Sequence, residues 1–171
     1  MKWLIMLALA IGIVIAVAAI VGSLLPRNHR VAREQVLPVP PETVWNAITD
    51  VDAFPRWRHD VTRVRILPDR NGRRCWVEEG RSGKLTFVVE ESDTPHRLVT
   101  RIADPDLPFG GVWTYDISPA GGGSRLTIRE DGEIYNPIFR VVARFIIGYE
   151  GTLRSYLEAL DRKFSSEIPK G

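Results

Sequence analysis

The spacing of hydrophobic and polar positions divides this chain into three stretches. The first, Trp3 to Leu25, contains no charged residue. As a helix it would be roughly 35 Å long, enough to cross a hydrocarbon core of about 30 Å, and it predicts a single transmembrane span ended by Pro26. The second, Val31 to Ile134, is a series of short alternating runs. Strands are expected at Val31–Val39, Val61–Leu67, Arg74–Glu79, Leu85–Glu91, Arg97–Ile102, Val112–Ser118 and Ser124–Ile134. Turn-forming residues part them, among them Asp69-Arg70-Asn71-Gly72, Asp93-Thr94-Pro95 and Ala120 to Gly123. Links this short favour an antiparallel meander of about seven strands, because parallel pairing needs helical crossovers. Two short helices follow the first strand. Pro40-Pro41-Glu42-Thr43 opens one that carries Val44, Trp45, Ala47 and Ile48, and Asp52 starts another turn holding Phe54.

The third stretch, Asn136-Pro137 to Phe164, has the period of one long amphipathic helix. Asn136 suits an N-cap, and Pro137 sits at the first helical position. Ile138, Val142, Phe145, Ile146, Tyr149, Leu153, Tyr156 and Leu160 form a stripe about 100° wide, expected to face the sheet. Arg140, Arg144, Arg154, Glu158 and Arg162 form a charged back, with Glu150, Arg154, Glu158 and Arg162 spaced at i,i+4. Gly148 and Gly151 each cost a helix interior about 1 kcal/mol relative to alanine. Close packing against a neighbour is the expected compensation, and a bend is the alternative. The fold class is therefore α+β, a sheet with one face covered by the closing helix. The domains are an anchor (1–25), a basic linker (26–30), the soluble domain (31–164) and a tail (165–171).

Composition narrows the classes of function. The 171 residues are 44% hydrophobic and 26% charged, which suits one domain with an appendage. A formal net charge of +2 gives no field for nucleic acid. His29, His59 and His96 lack metal-ligand spacing, and the lone Cys75 excludes an internal disulfide. Gly80-Arg81-Ser82-Gly83-Lys84 fits neither the nucleophile-elbow nor the phosphate-loop spacing. The paired acids Glu78-Glu79, Glu90-Glu91 and Glu130-Asp131 point to opposite faces of their strands. No metal or cofactor is expected. Lys2 and Ala16-Val17-Ala18 formally satisfy a signal peptide, but the apolar run continues through Ile20, Val21, Leu24 and Leu25, so the reading is a retained anchor. Arg27, Arg30 and Arg33, set against Lys2, lean the domain toward the cytoplasmic side of a single-pass membrane protein.

One combination of motifs resembles a known family. The first strand is followed by Pro40-Pro41-Glu42-Thr43-Val44-Trp45, Asp50 and Phe54-Pro55-Arg56-Trp57, then six strands and a long C-terminal helix. This order resembles the START-like (SRPBCC) superfamily, which includes polyketide cyclases/dehydrases and lipid-transport proteins. The resemblance covers about Val31 to Phe164 and implies a helix-grip fold, in which a curved antiparallel sheet holds the last helix with a cavity between them. It also implies a hydrophobic small molecule or lipid as ligand, although fold alone does not settle what is bound.

Side-chain alternation marks the faces that would enclose such a cavity. Trp113, Tyr115 and Ile117 share one strand face, and Leu85, Phe87 and Val89 share another. The candidates for ligand contact are Trp57, Trp76, Phe87, Arg101, Leu107, Phe109, Trp113, Tyr115, Glu130, Tyr135, Phe145 and Tyr149. Trp57 and Trp76 are pocket walls or plain core. Arg101 pairs with a ligand carboxylate or projects into water. Leu107 and Phe109 either rim the mouth or anchor an ordinary loop. Glu130 is a ligand-orienting group or a solvent-reached strand end. Tyr135 lines one end, and the Tyr149 hydroxyl meets a ligand or a carbonyl. Three functions stay open at this point: a membrane-tethered binding module, a cyclase-like or dehydratase-like enzyme using Glu130, Arg101 or Tyr149, and an adaptor with a filled core.

Overall fold

The seven alternating runs pair into one antiparallel sheet in a computed structural model that describes residues 1–167. The strands are β1 (Asn28–Leu37), β2 (Val61–Arg70), β3 (Arg73–Gly80), β4 (Gly83–Asp93), β5 (Arg97–Ile102), β6 (Phe109–Ala120) and β7 (Gly123–Ile134). Their order is β1-β7-β6-β5-β4-β3-β2, so β2 to β7 form a meander and the first strand closes beside the last. Irregularities at Val61/Arg63 and Leu67/Arg70, and at Val89/Glu91, interrupt the register. Such bulges bend a sheet. Helix α2 (Pro41–Thr49), a single 3₁₀ turn (Val51–Ala53) and α3 (Phe54–Trp57) follow β1. They bury Val44, Trp45, Ile48, Val51, Phe54 and Trp57 against one end of the sheet.

The closing segment is not one helix. It comprises α4 (Pro137–Val142), a π-turn (Ala143–Ile147) and α5 (Gly151–Glu167). Asn136 caps α4 as its sequence predicts, its side chain accepting from the Phe139 N–H at 3.0 Å. The π-turn closes through the Gly148 N–H and the Ala143 carbonyl at 2.9 Å, and the chain then turns at Gly148 with φ +76°. That backbone conformation costs an L side chain but not glycine. Nothing lies within 4 Å of where a Cβ would stand on Gly148 or Gly151, so the expected close packing is absent and the bend accounts for Gly148.

The break sorts the apolar stripe into two kinds. On α5, Leu153, Tyr156, Leu157, Leu160 and Phe164 are buried in the core. On the other half Ile138 is 39% exposed, Phe145 67% and Ile146 76%. Arg140, expected on the charged back, is 4% exposed. Its guanidinium donates to the carbonyls of Ile134 (2.8 Å), Gly22 (2.8 Å), Leu25 (3.3 Å) and Tyr135 (3.0 Å). The periodic ladder is also re-routed, since Glu150 pairs with Arg33 of β1.

One helix, α1 (Lys2–Leu24), is long and apolar enough to cross a membrane. It is exposed along most of its length, and only its last turns meet the domain, through α4. β1 begins at Asn28, inside the expected linker, because the Arg27 carbonyl accepts from the Ile134 N–H and continues the pairing with β7. Of the expected tail, Ser165 to Glu167 belong to α5, and residues 168–171 lie outside the described residues.

Candidate functional site: a cavity between the sheet and the broken helix

The concave face of the sheet and the closing segment enclose a cavity of about 480 Å³. Alternation along the strands supplies its walls. Trp76 of β3 and Phe87 of β4 are register partners and stack at 5.5 Å, while Trp113 and Tyr115 of β6 both reach Tyr156 of α5, at 5.7 and 5.8 Å. Leu85, Leu98 and Ile102 complete the apolar wall, and the stacked pair Phe109–Phe139 closes the end near α4.

The inner end carries a buried charged group. Arg58 follows α3, and its guanidinium contacts Glu78 (2.9 Å) and Asp60 (2.7 Å) while lying over the rings of Phe54 (5.0 Å) and Tyr156 (5.1 Å). A planar fork with fixed donor directions serves two carboxylates at once, which an ammonium does less well. Glu78 also accepts from the Trp76 indole N–H at 2.9 Å. Burial opposes the charge on Arg58, but Glu78 and Asp60 more than reverse this and raise its pKa. Burial also works against the Asp60 charge, yet the Arg58 hydrogen bond and charge hold this carboxyl below its ordinary range. For Glu78 burial prevails, and its pKa is raised despite Arg58 and the Trp76 N–H. Burial likewise pushes the Tyr115 and Tyr156 phenols upward, so both stay neutral hydroxyls. The Tyr156 hydroxyl is buried beside the Tyr115 phenol and, among the described residues, has no partner at hydrogen-bond geometry. One cation is shared between two carboxylates, so no net positive charge remains for a ligand anion. What the inner end offers is a hydroxyl.

Nearer the anchor, the His29 Nε2 lies 3.2 Å from Glu130 Oε1, and the imidazole stacks on Tyr149 at 4.0 Å. Gly132 makes room for that ring, since a Cβ there would overlap it. The His29 Nδ1 is buried and has no partner among the described residues. Glu130 is therefore neither an orphan among apolar neighbours nor a free strand end.

Seven of the twelve sequence candidates line the cavity: Trp76, Phe87, Phe109, Trp113, Tyr115, Glu130 and Tyr149. The other five lie elsewhere, each for a physical reason. Trp57 packs edge-on against Phe54 and Tyr156 as core. Arg101 points to the outer face and pairs with Glu90 at 2.5 Å. Leu107 stays on the turn before β6, outside the wall. Tyr135 is 45% exposed, and Phe145 faces outward from the π-turn. Sequence reasoning missed Arg58, Asp60, Glu78, Tyr156 and His29 as cavity residues. A signal existed for Glu78, which shares a strand face with Trp76, and for Tyr156, which sits on the apolar stripe. His29 carries no local signal, because the sheet alone brings Glu130 to it, and for Arg58 the nearby Asp60 does not announce Glu78, which comes from β3.

Known proteins show the same architecture. A START superfamily protein from Mycobacterium smegmatis is 20% identical, the match covering 82% of this chain and 99% of that one with a TM-score of 0.64. The Zhui aromatase/cyclase from Streptomyces is 11% identical, with 84% and 97% covered and a TM-score of 0.66. Norcoclaurine synthase from Thalictrum flavum is 12% identical, with 80% and 86% covered and a TM-score of 0.62. At such identities the likeness is one of fold. No match is found among curated proteins. The family described as polyketide cyclase/dehydrase and lipid transport matches residues 28–165, which spans the sheet, both buried clusters and nearly all of α5, and the chain belongs to that START-like family.

Proposed function

We propose that the protein is a membrane-tethered binding module that holds a lipid or other hydrophobic small molecule between the sheet and α5. The observation that carries this reading is the cavity, whose volume of about 480 Å³ falls within the range of about 300–1,000 Å³ usual for small-molecule sites. Its wall is mainly aromatic and aliphatic, and its inner end presents the unpartnered Tyr156 hydroxyl. A ligand that fits this chemistry is apolar along its length and carries one neutral oxygen, a carbonyl or hydroxyl, for Tyr156. Because Glu78 and Asp60 already occupy Arg58, a carboxylate-headed ligand is disfavoured. The adaptor reading, which needs a filled core, loses its ground. Native mass spectrometry of the full chain, released gently from membranes, tests the proposal. The wild type is expected to carry a small-molecule adduct that Ile102→Trp, filling the wall, removes; a wild type that is consistently empty overturns it.

One observation favours a second reading as an enzyme. The His29–Glu130 pair lines the cavity, and the Glu130 carboxylate, held by the imidazole, is the group placed to accept a proton from a bound carbonyl compound. Conversion of a bound molecule that is abolished by Glu130→Gln, with the adduct retained, would move the assignment to catalysis.

A further inference from the structure

The segment Pro137–Ile147 has an unusual distribution of surfaces. Apart from Arg140 and Arg144, every residue in it is apolar. Its inner side supplies Phe139 and Ala143 to the cavity wall, and its outer side presents Phe145 and Ile146 at 67% and 76% exposure. A helical segment that is apolar all round belongs in a protein core or in lipid, and this one is not in the core. Large exposed apolar groups side by side mark a docking surface.

Its position names the occupant. Gly22, in the last turn of α1, is buried, and a Cβ there would overlap the Pro137 carbonyl. Ala18 and Ala19, one turn earlier, are half-buried. The Arg140 guanidinium then fastens the end of α1 through the Gly22 and Leu25 carbonyls. These α1 residues lie inside the apolar run itself, so α4 packs beside the last turns of the span and not beyond them. Arg144, exposed next to Phe145, and Arg27, exposed just after α1, stand where cationic side chains meet phosphate headgroups.

We propose that α4 and the π-turn dock into the bilayer leaflet at the C-terminal end of α1, with Phe145 and Ile146 among the upper acyl chains and Arg144 at the headgroups. This rests on the reading of α1 as a membrane span. It follows from the geometry that the cavity end bounded by Phe139, Ala143, Gly148 and Tyr149 meets the bilayer interface, so that an apolar ligand enters from lipid without crossing water.

The test uses the full chain in nanodiscs of brominated phosphatidylcholine, with a bimane label on single introduced cysteines; the native Cys75 is buried and serves as the unlabelled background. Phe145→Cys reports the docking surface, Val21→Cys the anchor, and Ser118→Cys a point about 30 Å away along the β6–β7 hairpin. Quenching at position 145 several-fold above that at 118, and approaching that at 21, is expected; Ile146→Cys, equally exposed, should repeat it. Quenching at 21 with none at 145 or 146 above the 118 level overturns the docking and leaves the anchor standing. A label at 21 that is also unquenched removes the membrane span and the docking together.

Discussion

The two halves of the broken closing helix each pack beside one buried arginine, and the contrast between them explains the molecule. α5 lies over Arg58, whose charge is matched by Glu78 and Asp60, and it buries Leu153, Tyr156, Leu160 and Phe164. The α4 half holds Arg140, whose charge is met, among the described residues, by backbone carbonyls alone, and it leaves Ile138, Phe145 and Ile146 exposed. The same apolar period runs through both. Periodicity therefore reports that a face avoids water, and not whether a core, a cavity or a bilayer takes its place.

The largest effect that can break this contrast is expected in α5. Leu153→Ala should cost about 2–5 kcal/mol in denaturant unfolding of the detergent-solubilised chain, because the side chain is fully buried and its loss leaves a void. The matched change Ile146→Ala should stay within about 0.5 kcal/mol in the same assay. Equal costs would mean that both halves belong to one core.

A smaller effect is expected at the other arginine. Arg140→Ala leaves the Gly22, Ile134 and Tyr135 carbonyls without their donor and should cost about 1–3 kcal/mol. It should also speed tryptic cleavage after Arg27, since α1 loses its clamp. Arg140→Lys should fail to restore the wild-type rate, because an ammonium cannot span carbonyls on both sides. Unchanged cleavage would show that the helix contacts alone hold the junction.

The smallest effect is a difference in pH response. The folded-state pKa of Glu78 lies above its unfolded one, so the folded chain holds the extra proton as pH falls from the raised value to the ordinary glutamate range. Acidification through that window favours folding through Glu78. Asp60 has the opposite sign, its contribution being present above its unfolded value and lost as pH falls through the depressed folded one. Compared with Glu78→Gln, the wild type should therefore gain relative stability as the solution is acidified from the raised value toward the ordinary glutamate range. Parallel curves for Glu78→Gln and wild type would remove the buried carboxylate from the account.

Much of the fold was legible because it is written locally. The β5 bounds fell where expected, Asn136 capped its helix, and Trp76, Phe87, Trp113 and Tyr115 reached the inside because a strand turns alternate residues to one face. Where the other candidates lie was decided by partners distant in sequence or by a break in the helix. Nothing near Arg101 in sequence announces Glu90 across the β4–β5 pair, and nothing near Arg58 announces Glu78. Phe145 fits the stripe by period, but Gly148 releases the chain before that stripe can close on the sheet.

Sequence by itself determined the apolar span, the antiparallel meander, the caps and the inward faces, since each depends on the spacing of neighbours and on the steric limits of single residues. Only the tertiary structure decided which apolar side chains enclose a cavity, which arginines are buried, and that α4 rests on the end of α1. Those outcomes depend on groups far apart in the chain meeting at hydrogen-bond distance, where burial makes an unmatched charge costly and selects the partners.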